Sequence, residues 1–191
     1  MSYRKTKFVA GNIYHLYNRG VNRANIFSNA DNYTYLLKKV KPLLTELSLT
    51  MIAYCLMPNH YHFVIRQDGD QSLSVFIEWL FKSYSQAYNK QQGRTGPLFS
   101  GRFKSIHVDV DSYVLHLCRY VHLNPVKAGL VAQPHDWPFS NYLEWIQQRK
   151  GTLVDHEFVT GYFLTPADYI EFVESEIPAH INEKLQPYLL E

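Results

Sequence analysis

Residues Thr50 to Gln67 leave this chain few ways to fold. Thr50 to Met57 is rich in strand formers, Pro58-Asn59 suits a tight turn, and His60 to Gln67 resumes the strand pattern. The expectation is an antiparallel hairpin. Along its second strand, period-two alternation sends His60, His62, Val64 and Arg66 to one face and Tyr61, Phe63 and Ile65 to the other. The apolar set calls for a helix-covered side. The other set carries two imidazoles at i and i+2, a spacing at which both can reach one divalent ion. Ordinary hydrogen-bonded histidines fit that spacing equally well.

The flanking segments supply partners for the hairpin. Ile13 to Tyr17 reads as a first strand ending at Asn18-Arg19-Gly20, and Asn29 or Asp31 caps a helix with apolar Tyr33, Leu36, Leu37, Val40, Leu43 and Leu44. Pro42 weakens that helix's last turn. Ser72 caps an amphipathic helix through about Asn89, and Gly93, Gly96 and Pro97 mark a loop. Phe103 to Val110 is a fourth strand; Asp111 or Ser112 then caps a helix that Pro125 stops after Asn124. The order β-α-β-β-α-β-α predicts an α+β protein, a ferredoxin-like antiparallel sheet backed by helices. Residues 1–145 are expected to form one domain. Residues 146–191, with an acidic helical stretch around Asp168 to Glu176, read as a small C-terminal helical extension.

The helix Tyr113 to Asn124 bears on the histidines. At 100° per residue Val114, Leu117, Cys118 and Val121 form a buried stripe, and Tyr113, Tyr120 and Asn124 fall within about 40° of one another on its border. If this helix covers the histidine face, a tyrosine and an amide one turn apart look at the same place. Both tyrosines would also serve as core aromatics with polar tips. A phenol with a pKa near 10 is a poor nucleophile at neutral pH and needs a nearby cation or base. A divalent metal held by two histidines and a neutral amide keeps its charge and can stabilise a scissile phosphate. Attack by Tyr120 would leave a phosphotyrosine whose bond energy allows rejoining without ATP.

Charge is unevenly distributed. Residues 1–130 hold 16 Lys and Arg against 7 Asp and Glu, net +9, whereas residues 131–191 hold 3 against 10, net −7. A polyanionic partner for the first two-thirds follows as a hypothesis. Cys55 and Cys118 lie in apolar stretches and read as reduced core thiols. Met1-Ser2-Tyr3-Arg4-Lys5 is not followed by an apolar signal region, and nowhere do about 18 apolar residues run together, which predicts a soluble cytoplasmic protein with no membrane partner.

Tyr54-Cys55-Leu56-Met57-Pro58-Asn59-His60-Tyr61-His62, followed by Tyr120-Val121-His122-Leu123-Asn124-Pro125-Val126-Lys127-Ala128-Gly129-Leu130-Val131, resembles the REP-associated tyrosine transposases. These are bacterial IS200-like enzymes of the single-tyrosine branch of the HUH nucleases. Tyr14-His15-Leu16-Tyr17-Asn18-Arg19-Gly20, Gly101-Arg102-Phe103-Lys104-Ser105 and Asp136-Trp137-Pro138-Phe139-Ser140 extend the likeness over roughly residues 10–145. The resemblance implies the HUH nuclease fold, Mg²⁺ or Mn²⁺ bound by His60 and His62, and Tyr120 as nucleophile. Asn124 is the expected third ligand, although related transposases place a glutamine one turn after the tyrosine; Tyr113 is the alternative nucleophile.

The implied activity is single-stranded DNA cleavage and strand transfer through a covalent 5′-phosphotyrosine, by a monomer or homodimer. The implied substrate is a repeat that folds into a hairpin beside a single-stranded tetranucleotide. Arg19, Arg23, Arg66, Lys82, Arg94, Arg102, Lys104, Arg119 and Lys127 are then the basic residues available to phosphates, and Tyr17, Phe99 and Phe103 those able to stack on unpaired bases. Two other readings use the same residues: a nucleic-acid-binding module that has lost turnover, and a hydrolase of small phosphates with water as nucleophile.

Overall fold

A computed structural model describes residues 6–108, 111–175 and 183. Its sheet has four antiparallel strands, β1 (Ile13–Arg19), β2 (Leu49–Met57), β3 (His60–Gln67) and β4 (Lys104–Val108), in the spatial order β2-β3-β1-β4. With α1 (Ala30–Glu46) after β1 and α2 (Leu73–Gln91) after β3, this is the ferredoxin-like arrangement expected from the sequence. The hairpin forms as predicted: Met57 pairs with His60 across the Pro58-Asn59 turn.

Local chemistry sets the helix starts. Asn29 accepts from the Asn32 amide to begin α1, and Ser72 accepts from the Ser74 amide to begin α2. Pro42 sits inside α1, which still runs to Glu46. α1 presents Tyr33, Leu36, Val40 and Leu44 and α2 presents Phe76, Ile77, Leu80, Phe81 and Tyr84 to Tyr14, Leu16, Tyr61, Phe63 and Ile65 of the sheet, forming one core. The turn is held from beneath: Ile26 and Phe27 donate to the Pro58 carbonyl at 2.7 and 3.0 Å, and Gly20 donates to that of Asn59 at 2.8 Å. A Cβ on Gly20 would lie 2.0 Å from the Ala24 carbonyl oxygen, so this crossing admits only glycine.

α3 (Asp111–Lys127) covers the opposite face. It does not stop at Asn124 as expected. Pro125 falls in the last turn, and the helix closes three residues further on, where Gly129 takes φ +67° and Leu130 donates to the Pro125 carbonyl at 2.9 Å. The proline therefore removes one donor near an end that is already running out of partners. The expected caps Asp111 and Ser112 have side chains outside the described residues, as do the N-terminal segment 1–5, the predicted end of the fourth strand at 109–110, and the predicted helix end at Glu176.

The segment after α3 packs back on the molecule. Residues 139–141 run along the free edge of β2: Leu56 donates to the Phe139 carbonyl at 2.9 Å, and Asn141 Oδ1 accepts from the Tyr54 amide at 2.8 Å. Trp137 and Trp145 indoles donate to the carbonyls of Leu56 and Ile52. α4 (Tyr142–Trp145), α5 (His156–Tyr162) and α6 (Pro166–Glu174) then lay Trp145, Val159, Tyr169 and Val173 into the same apolar cluster as Val114, Leu117 and Val121 of α3.

Candidate active site

The α3 face of the sheet is built from the alternate residues of the strands that carry the apolar core on their other side. β1 contributes His15, Tyr17 and Arg19, and β3 contributes His60 and His62; the register sets His62 opposite Tyr17 and His60 opposite Arg19. α3 lowers Tyr120 and Asn124 onto this surface. Tyr120 is 6% exposed, and its ring meets His62 edge-on with centroids 5.6 Å apart. One turn later the Asn124 amide spans the two histidines, Oδ1 3.1 Å from His60 Nε2 and Nδ2 3.3 Å from His62 Nε2. His60, His62, Tyr120 and Asn124, picked out from sequence, thus meet at one point. Tyr113 lies seven residues, about 10 Å of helix, before Tyr120.

The far nitrogens of both imidazoles are engaged. His60 Nδ1 lies 2.6 Å from Asn59 Oδ1, and His62 Nδ1 lies 2.9 Å from His15 Nε2. His15 is fully buried and stacks on both Tyr17 and His62. Burial lowers the pKa of all three histidines. For His15 it reaches about 3; for His62 neighbouring His15 and His60 push the same way; for His60 burial leads, Asn124 opposes it and Arg19 adds to it. Near neutral pH these are uncharged rings with lone pairs to offer.

His15 and Asn59 were missed as site residues. The signal for His15 was present in the alternation His15-x-Tyr17-x-Arg19, which repeats that of His60-x-His62, but only the strand register brings the two together.

The nine basic residues divide by position. Arg19 lies beside His60, while Lys104 and Lys127 place their ammonium groups over the rings of Tyr17 and Tyr120 at 5.8 and 5.0 Å. Burial, and after it the neighbouring Tyr120, raises the pKa of Tyr17. Arg23 is exposed in the loop after β1, and Arg94 donates to the Pro97 carbonyl. Lys82 and Arg102 line a groove behind the sheet.

Two residues are not presented as expected for phosphate contacts. Arg119 is 4% exposed, stacked on Phe172 and donating to Ser175, because α6 closes over it; Arg66 is paired with Asp68 at 2.6 Å and Asp155 at 2.9 Å. Among the described residues no three His, Cys, Asp or Glu side chains gather as a metal group.

The chain belongs to the IS200-like transposase family, whose model matches residues 8–124. A Haemophilus influenzae protein named as a REP-associated tyrosine transposase is 25% identical over 101 residues, 48% of this chain and 57% of that one, so the match spans little more than half of the relative's length. A solved structure of a REP-associated tyrosine transposase bound to a REP hairpin superposes with a TM-score of 0.62 at 20% identity, covering 81% of this chain and 94% of the other. Among the described residues no helix is long and apolar enough to cross a membrane.

Proposed function

We propose that this protein cleaves and rejoins single-stranded DNA beside a hairpin, with Tyr120 as nucleophile and His60, His62 and Asn124 holding Mg²⁺ or Mn²⁺. The observation that carries the reading is the Asn124 amide lying between two imidazole Nε2 atoms, one helical turn from a tyrosine that touches His62. The donor set suits a cation. With the proton of His60 on Nδ1, donated to Asn59, the His60 Nε2 and Asn124 Oδ1 lone pairs face each other at 3.1 Å, an arrangement a bound ion would relieve. When bound, a divalent ion would neutralise and polarise a non-bridging phosphate oxygen.

The chain's own groups do the remainder. The Tyr120 hydroxyl oxygen attacks phosphorus and gives up its proton to solvent, forming the Tyr–O–P bond. The bond from phosphorus to the 3′ oxygen breaks, and that oxygen leaves as a hydroxyl after taking a proton. Lys127 over the Tyr120 ring favours the developing phenolate, and Arg19 and Lys104 flank the path of the phosphates. A later attack by a 3′ hydroxyl on the phosphotyrosine reverses these bond changes and joins the strands.

Denaturing electrophoresis of end-labelled hairpin DNA with Mn²⁺ tests this. Wild type should form a covalent protein-DNA adduct; Tyr120→Phe should bind the hairpin, fold normally and form none. An adduct that survives Tyr120→Phe and disappears in Tyr113→Phe would transfer the role to Tyr113. Cleavage by Tyr120→Phe without any adduct would instead favour water as nucleophile.

A further inference from the structure

The His62 ring touches two phenols. Tyr120 meets it edge-on with centroids 5.6 Å apart, and Tyr17, its partner across β1 and β3, stacks on it at 6.1 Å. The two tyrosines have matching settings: they are 6% and 5% exposed, and each has a lysine ammonium over its ring, Lys127 at 5.0 Å and Lys104 at 5.8 Å. Only Tyr120 has a task in the reaction above. We propose that Tyr17 is a second catalytic residue, whose hydroxyl hydrogen-bonds the departing 3′ oxygen and gives it a proton. The inference rests on the cleavage reading above and supplies the proton that the leaving oxygen takes.

The chemistry calls for such a group. In an in-line displacement the attacking and leaving oxygens lie on opposite sides of phosphorus, so Tyr120 cannot serve both. A sugar alkoxide is a much stronger base than a phenolate, and its departure is costly unless a proton arrives as the bond breaks. As the bond from phosphorus to the 3′ oxygen breaks, its electron pair stays on that oxygen, which takes the Tyr17 proton. The Tyr17 phenolate then regains a proton from solvent. Rejoining runs the same transfers in reverse.

Three observations direct the Tyr17 oxygen to this role. The ring is already engaged, stacked on His15 at 4.8 Å and 27°, which leaves the hydroxyl as the group it offers to a substrate. Tyr17 rises from the sheet that floors the site whereas Tyr120 descends from α3, so the two oxygens approach one phosphate from different elements. Lys104 pairs with Tyr17 in the β1–β4 register and holds its charge over the ring, where it favours the phenolate formed during transfer. No unusual titration is required. A phenol with a pKa near 10 carries its proton at neutral pH, and burial, then Tyr120, moves Tyr17 further in that direction.

The test uses one hairpin oligonucleotide in two forms, with oxygen or with sulfur as the 3′ bridging atom of the scissile linkage. A thiolate departs without needing a proton. The rate of covalent adduct formation in Mn²⁺ is compared for wild type and Tyr17→Phe, which keeps the ring on His15 and His62. The variant should be slower by about 100-fold or more on the oxygen substrate and should recover to near the wild-type rate on the sulfur substrate. That recovery also shows the variant to be folded.

Equal slowing on both substrates would make Tyr17 a support for His62 and overturn the proposal, as would an unslowed variant. An adduct carried by Tyr17 in Tyr120→Phe would make it a nucleophile instead and overturn the proposal as well. Wild type that forms no adduct with either substrate would overturn the cleavage reading itself. Wild type that forms the adduct, with Tyr17→Phe indifferent to the sulfur, would overturn only this inference.

Discussion

The two faces of the sheet are made by the same strands and solve opposite problems. Toward α1 and α2, β1 and β3 present Tyr14, Leu16, Tyr61, Phe63 and Ile65, which close into an apolar and aromatic core. Toward α3 the residues between them are His15, Tyr17, His60 and His62. His15 and His62 are as inaccessible as Leu16 and Phe63, yet each buries a polar ring, which is costly unless hydrogen-bonded. The contacts of His60 with Asn59, and of His62 with Asn124 Nδ2 and His15, offset part of that cost. The contrast teaches that one face is arranged for stability while the other carries buried polarity, which is what the proposed cleavage would use.

Neighbouring residues of β3 give the strongest test of the contrast. His62→Ala is expected to abolish cleavage of hairpin DNA in Mn²⁺ while leaving most DNA affinity, since affinity is spread over many phosphate contacts. Retained cleavage would remove His62 from the mechanism. Phe63→Ala, one residue on and facing the other way, should cost about 3–5 kcal/mol in urea unfolding through the cavity it leaves. A loss below about 1 kcal/mol would mean that this face is not the stabilising one.

Acid should distinguish the faces next. His15 and His122 are buried and neutral, with pKa values lowered by burial to about 3 and about 4 from 6.5. The unfolded chain binds those protons first, so their contribution is complete above pH 6.5 and is lost as pH falls toward 4. Each group contributes a slope of about 1.4 kcal/mol per pH unit within that window. Urea unfolding in chelator at pH 7 and pH 5 reads the effect, and a midpoint independent of pH would show these histidines to be solvated.

Much of the architecture was legible because it is local. The hairpin, the alternation that sets His60 with His62, and the turn that sets Tyr120 with Asn124 are periodicities within single elements. What escaped depends on pieces distant in sequence. His15 becomes a partner of His62 only through the β1–β3 register, and by itself it reads as one more buried strand residue. Arg119 looked available to phosphate until α6 covered it, and Arg66 until Asp155 reached it. Neither closure has a local signal. Pro125 misled for another reason: a proline in a final turn forfeits a single hydrogen bond, too little to end a helix held by its buried stripe.

His15 itself gives a smaller and more specific test. Holding His62 Nδ1, it fixes which nitrogen of His62 faces Asn124, so His15→Ala should lower Mn²⁺ affinity about 10–100-fold in a titration followed by electron paramagnetic resonance. Unchanged Mn²⁺ affinity in a folded variant would make His15 a core residue only.

The smallest expected effect tests how the histidine face is held from outside. His122 of α3 is fully buried, its Nδ1 2.6 Å from the Tyr169 hydroxyl of α6 and its Nε2 2.9 Å from Asn141 Oδ1, which also accepts from the Tyr54 amide. One imidazole thus connects the tyrosine-bearing helix, the C-terminal segment and the edge strand β2. Tyr169→Phe keeps the ring that packs on Trp145 at 4.6 Å and removes only the oxygen, leaving His122 Nδ1 without that bond. The cost of such a deletion is about 1–3 kcal/mol, or a fall of a few degrees in melting temperature at roughly 2–4 °C per kcal/mol. If α6 only stabilises α3, cleavage at saturating DNA well below the melting temperature stays at the wild-type rate. Thermal denaturation and single-turnover cleavage on the same preparation separate the cases: a slowed adduct-forming step with an unchanged melting temperature would instead make the contact a positioning device for Tyr120.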